Sequence, residues 1–210
     1  MQGTGSTGWR DTLPWLATVV AAVAVAVALA VVLTRGRIER NAATQAFAAL
    51  AGLLPAGGYD NRPGEDRIEV TDAALLGSTT PLPVYRARLG GRPAAAILTV
   101  VAPRGYGGPI RLLVSIAADG RVLAVRTVAH QETPGLGDRI DIAKSAWMEG
   151  FTGRSLGDPP AERWALRHDG GDFDAITGAT VTSRAVVEAV RRAAEYFAAH
   201  RQAIFDETSR

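Results

Sequence analysis

The chain has 210 residues, room for one ordinary domain and an appendage. Its 23 Lys and Arg against 21 Asp and Glu leave a net charge of +2, and no basic cluster with interleaved aromatics occurs, so nucleic acid is not the expected partner. Cysteine is absent and the three histidines are His130, His168 and His200, which excludes a disulfide frame, a Cys-ligated iron–sulfur cluster and thioether haem. No histidine lies in the apolar N-terminal run, so a membrane bis-His haem within this chain is excluded too. Any electrons it moves must ride on an organic cofactor.

Residues 1–12 form a polar, Gly-rich tail. From Leu13 to Leu33 the chain is almost purely apolar, interrupted by Pro14 and Thr18. About 21 residues at a helical rise of ~1.5 Å span roughly 30 Å, the thickness of a bilayer core. Pro14 suits a first helical turn and Trp15 an interfacial belt. A signal peptide would have a shorter apolar core, so 13–33 is read as a retained transmembrane helix. Arg35, Arg37 and Arg40 follow it, while only Arg10 and the α-amino group precede it. By that asymmetry the C-terminal part would lie in the cytoplasm.

Residues 34–66 read as a stalk helix, with a weak stripe of Ala42, Phe47, Leu50 and Leu53, followed by a turn-rich connector, PAGGYDNRPGED. The domain at 67–210 then shows strand signals. Val84–Leu89 alternates before Gly90-Gly91, Ala94–Val101 is an apolar run, and Ile110–Ala117 and Val122–Val128 flank Asp119-Gly120, a strong hairpin signal. Residues 84–128 are therefore expected to form an antiparallel sheet. Helical spacing returns over Ile140–Phe151, and a short strand is expected at Trp164–Leu166. The last helix is predicted over Arg184–Ala203, with Val186, Val190, Ala193 and Phe197 on one face. The fold class is α+β: one N-terminal transmembrane helix, then an antiparallel sheet packed with helices.

Two stretches carry chemistry. In Asp174-Ala-Ile-Thr-Gly-Ala-Thr-Val-Thr-Ser183, Gly178 and Ala179 sit among four hydroxyls just before the last helix. A helix N-terminus has unpaired N–H groups and a positive dipole end, which suit a phosphate. The same hydroxyls would equally serve as helix caps. The second stretch, His130-Gln-Glu-Thr-Pro-Gly-Leu-Gly-Asp138, is a shaped loop, since Pro134 fixes one dihedral and Gly135 and Gly137 permit a tight turn. His130 and Glu132 as a metal pair lack a third ligand, so no metal is expected. An acid–base role for the pair has no supporting partner. Trp147 is read as a core residue, and Tyr106 in Gly-Tyr-Gly-Gly is a weak signal.

Asp174-x-x-Thr177-Gly178-Ala179-Thr180-x-Thr182 resembles the flavinylation motif of the FMN-binding domain family. The resemblance implies covalent FMN, joined through its phosphate to the hydroxyl of Thr182, with Thr177, Gly178, Ala179 and Thr180 around it. It also implies a separate flavin transferase that makes the ester from FAD, so no base is required of this chain. No Ser-His-Asp pattern surrounds Thr182. Thr177 stands where the family commonly has Ser. The second stretch resembles the His-x-Glu-Thr-Pro-Gly-Leu-Gly loop of the same family, which implies polar flavin contacts from Glu132 and Thr133 and ring packing by Leu136 beside Gly137.

The resemblance covers about residues 84–200. One anchor and one such domain resemble the small flavoprotein subunits of Rnf-type ion-translocating electron transport complexes. The C-type component of Na+-translocating NADH:quinone reductases is similar but longer. The implied function is electron relay, with no independent catalysis, among other membrane and iron–sulfur or flavin subunits. The implied location is the inner membrane, single-pass, with the domain on the periplasmic side, against the arginine asymmetry. A single anchor without ionisable residues forms no ion pathway by itself. A membrane-anchored sensor or interaction domain, its flavin regulatory or absent, is the alternative from another class. A stand-alone flavin reductase would need a G-x-G-x-x-G after a strand, which is missing.

Overall fold

A computed structural model of the protein describes residues 52–206. The apolar segment 13–33 and the stalk up to residue 51 lie outside the described residues. Among the described residues no helix is long and apolar enough to cross a membrane.

Five strands follow one another as an antiparallel meander, each paired with its sequence neighbour: β1 (Arg67–Asp72), β2 (Ser78–Leu89), β3 (Arg92–Ala102), β4 (Ile110–Ala117) and β5 (Val122–Ala129). The expected sheet over 84–128 is present, but it begins earlier. β1 alternates exposed and half-buried residues along the sheet edge, so Arg67, Glu69 and Thr71 mask the apolar signal of Ile68 and Val70. β3 is buried on both sides, which is why its sequence reads as a continuous apolar run. One face, with Val84, Ala96, Leu98, Leu112 and Val114, joins Val186, Val190, Ala193 and Phe197 of the long helix α1 (Thr180–Phe205) in the main core. The other face, with Tyr85, Ala95, Ile97 and Leu113, is covered by Leu53 and Leu54, two residues from the stretch read as stalk.

Three expected elements differ. The run 140–151 is not an α-helix; it holds 3-10 turns at Gly137–Ile140 and Trp147–Phe151. Ser145 offers the backbone a local alternative there, its hydroxyl donating to the Arg139 carbonyl at 2.7 Å and accepting from the Trp147 N–H at 3.2 Å. Trp164–Leu166 is not a strand; Leu166 makes a single isolated bridge to Phe173, and the Trp164 indole N–H is held by the carbonyls of Ser155 and Pro159. The last helix starts at Thr180, not Arg184, so Thr182 lies in its first turn. α1 is thus the one α-helix among the described residues, and the sheet packs otherwise against 3-10 turns and loops.

The far end of α1 is tied down by charge. Arg86, 4 % exposed, donates to the carbonyls of Ile204 and Asp206, and Arg88 donates to that of Phe205. Asp66 binds both guanidiniums, at 2.5 and 3.1 Å. Cations at a helix C-terminus satisfy its orphan carbonyls and complement its dipole. This fixes the axis of α1, and with it the position of Thr180–Thr182 at the opposite end.

Candidate functional site

The site forms where three connections meet at one end of the sheet. The β3–β4 turn brings Gly105, Tyr106 and Gly107; the loop after β5 brings His130 to Leu136; the turn before α1 brings Gly178 and Ala179. Between them lies a cavity of about 470 Å³ lined by Tyr106, Glu132, Thr133, Leu136, Gly137 and residues 178–182. Its volume is within the range of small-molecule and cofactor sites.

The first turn of α1 forms one wall. Ala179 is the N-cap and makes no side-chain capping bond. The first intrahelical bond runs from the Ser183 N–H to the Ala179 carbonyl at 2.9 Å, so the amides of Thr180, Val181 and Thr182 precede it. Gly178 supplies the turn with φ +79°, and a Cβ there would meet Leu136 Cδ2 at 3.0 Å. This arrangement offers amide donors, hydroxyls and a positive dipole end to an anionic group.

Thr182 is 1 % exposed, yet its side chain lines the cavity. Its hydroxyl donates to Glu132 Oε2 at 2.5 Å. Glu132 is itself 5 % exposed, and its Oε1 accepts the Gly107 N–H at 3.1 Å. Gly137 permits this approach: a Cβ there would sit 2.6 Å from Glu132 Oε2 and 3.1 Å from Thr182 Oγ1. The Glu132 N–H donates to His130 Nδ1 at 3.1 Å, which leaves the ring proton on Nε2, 3.2 Å from Asp141 Oδ2. Behind this pair Lys144 donates to Asp138 at 2.7 Å, and that hydrogen bond holds the Asp138 carboxyl below the ordinary carboxylate range. Ser183, adjacent to Thr182, is turned to a different task. Its hydroxyl donates to the Ala179 carbonyl and accepts the Ile176 N–H, both at 2.9 Å, and so closes the turn before the helix.

The fold brings eight of the nine expected site residues, Glu132, Thr133, Leu136, Gly137, Gly178, Ala179, Thr180 and Thr182, to one cavity. Thr177 is exposed on the approach to α1 and does not line it. Tyr106 and Val181 line it without having been expected there; they are 73 % and 47 % exposed, and with Leu136 they give it an apolar rim. Val181 could have been found from helix periodicity had the start at Thr180 been recognised. Trp147 does not line the cavity. It packs edge-on against Phe151, and its indole N–H donates at 2.7 Å to the Asp174 carbonyl, steadying the start of the Thr-Gly-Ala-Thr turn from behind.

These residues fit FMN by kind. The helix start and hydroxyls suit a phosphate, and the rim of Tyr106, Leu136 and Val181 suits a flat apolar ring. The family model described as the FMN-binding domain matches residues 105–195, which include all three connections around the cavity. The chain is 52 % identical to the G subunit of the ion-translocating oxidoreductase complex of Pseudomonas aeruginosa, over 80 % of this chain and 79 % of the relative. It is 47 % identical to the corresponding G subunit of Yersinia pestis, covering 78 % of each chain. The G subunit of Pseudoalteromonas atlantica is 44 % identical, over 84 % of this chain and 82 % of that one. With this identity over most of both lengths, the chain belongs to the G-subunit family of ion-translocating, Rnf-type oxidoreductase complexes, and it carries that family's FMN-binding domain.

Proposed function

We propose that the protein is a membrane-anchored electron-relay subunit whose FMN is esterified through its phosphate to Thr182. One observation carries this reading: the Thr182 hydroxyl stands in the first turn of α1, at the wall of a cavity with phosphate-suited amides on one side and an apolar rim on the other. When bound, FMN supplies reversible electron transfer, and the protein's share is to hold and orient it. Thr180 and the first-turn amides receive the phosphate. Glu132 and Thr133 offer polar contacts, and Leu136, beside Gly137, packs on the ring with Gly178 and Ala179 giving close access. Thr177 acts on the approach only.

Residues 67–210 are the FMN-binding domain on this reading, 34–66 the connector and 13–33 the anchor. The domain stands on the periplasmic side of the inner membrane. On this reading the partners are of two kinds: the other membrane, iron–sulfur and flavin subunits of the complex, and a flavin transferase that matures the protein. A reporter active only in the periplasm, fused after Arg210, should be active; activity of a cytoplasmic reporter instead would overturn the location.

Attachment is tested by in-gel flavin fluorescence after full denaturation, with peptide mass spectrometry. Protein made together with a flavin transferase should carry FMN on the peptide holding Thr182. Thr182→Val should carry none, and Ser183→Ala should keep it. FMN found on Ser183, or retained by Thr182→Val, would refute the assignment.

A further inference from the structure

Resting on the reading that Thr182 is the acceptor, we propose that Glu132 is the base that activates it. A threonine hydroxyl is a weak nucleophile until a neighbouring group accepts its proton. Glu132 Oε2 lies 2.5 Å from Thr182 Oγ1, within direct proton-transfer reach, and both groups are buried. So the base that the sequence resemblance did not require is already in contact with the reacting oxygen.

The carboxylate is closely enclosed. Oε1 accepts the Gly107 N–H, and the glycines at 105 and 137 let the backbone come close to it, where a side chain at either position would lie 2.6 Å from one of its oxygens. The Glu132 N–H is fixed by His130, which Asp141 orients in turn. The contact also discriminates among hydroxyls. Ser183 is bonded to Ala179 and Ile176, and among the described residues no carboxylate meets it. Thr182 is therefore selected over its neighbour by where the base stands, in a motif where composition alone does not separate them.

The step balances without redox change. The Thr182 Oγ1–H bond breaks and its proton passes to Glu132 Oε2. Oγ1 bonds to the flavin-side phosphorus of flavin adenine dinucleotide, presented by the transferase, while the phosphoanhydride bond breaks and AMP departs with the bonding electrons. Protonated Glu132 then faces the phosphodiester as a donor instead of a second anion.

The test uses the full-length protein prepared without flavin, then incubated with purified flavin transferase and flavin adenine dinucleotide. Covalent flavin is read over time by intact mass and by fluorescence after denaturation. Glu132→Gln keeps the shape and a hydrogen-bonding end but accepts no proton, so its initial rate should fall about 100-fold, the usual scale of a lost general base. A rate within threefold of wild type would overturn the proposal. If Glu132→Gln also melts lower, Glu132→Ala decides: formate entering the vacated space should raise its labelling rate at least tenfold at an unchanged melting temperature. No increase with formate would assign Glu132 a purely structural role. Failure of the wild-type protein to label on Thr182 would strike the acceptor reading itself, a different and distinguishable result.

Discussion

Replacing Gly137 by Ala tests how tightly the Glu132–Thr182 contact is built. Gly137 does not have a positive φ, so alanine adds no backbone strain and acts only through its methyl group. That methyl would lie 2.6 Å from Glu132 Oε2, 2.9 Å from Glu132 Cβ and 3.1 Å from Thr182 Oγ1. Glu132 is buried and its other oxygen accepts the Gly107 N–H at 3.1 Å, so moving away from the methyl would break that bond. Overpacking of this kind costs about 1–3 kcal/mol. If the methyl also separates the hydroxyl from the carboxylate, the lost charge-assisted bond adds about 1.5–3 kcal/mol. The sum, about 2.5–6 kcal/mol, is a large part of a typical stability of about 5–15 kcal/mol. At about 2–4 °C per kcal/mol for a domain of this size, the melting temperature should fall by roughly 5–24 °C. Gly150→Ala is the control: it is not a positive-φ glycine, its added Cβ meets nothing within 4 Å, and its effect should stay within about 0.5 kcal/mol. The assay is thermal unfolding of the full-length protein by tryptophan fluorescence. Equal melting temperatures for Gly137→Ala and Gly150→Ala would refute the close packing argued for this wall.

Further outcomes follow from the same geometry. Thr182→Val removes the donor to a buried carboxylate and should lower stability by about 1.5–3 kcal/mol in urea, in addition to abolishing label. A stability equal to wild type would mean that the hydroxyl is not bonded to Glu132. Ser183→Ala leaves the buried Ile176 N–H without its acceptor and should cost about 1–3 kcal/mol while Thr182 is still labelled. Lys144 holds Asp138 below the ordinary carboxylate range, so its contribution is complete above that range and is lost as pH falls through the depressed value. The melting difference between wild type and Asp138→Asn should therefore be flat near neutrality and shrink below about pH 4; a difference independent of pH down to about 3 would contradict the pairing. Leu136→Asp puts a carboxylate on the apolar rim and should lower the flavin midpoint potential by disfavouring anionic reduced forms, whereas an unchanged potential would remove this loop from the site.

What was legible in the sequence was local. The hairpin at Asp119-Gly120, the apolar run of β3 and the four-three-four spacing of α1 each report a period or a turn that neighbouring residues impose on one another. The Thr-Gly-Ala-Thr and Glu-Thr-Pro-Gly-Leu-Gly stretches were visible for the same reason, since glycine, proline and hydroxyl residues mark close approach and shaped backbone. Tertiary structure decided the rest. The 140–151 run has helical spacing, but the Ser145 hydroxyl captures backbone groups locally, and His130 holds Asp141 from outside the run. β1 has too little apolar signal to be seen before it pairs with β2. Above all, Glu132 and Thr182 are 50 residues apart, and their contact depends on where α1 is pinned at its far end by Arg86 and where the meander delivers the loop after β5. By itself the sequence pointed to most of the residues that line the cavity, though not to Tyr106 or Val181. Only the packing of helix against sheet decided that one hydroxyl of four meets a buried carboxylate, because a hydrogen bond is set by distance in space and not by separation along the chain.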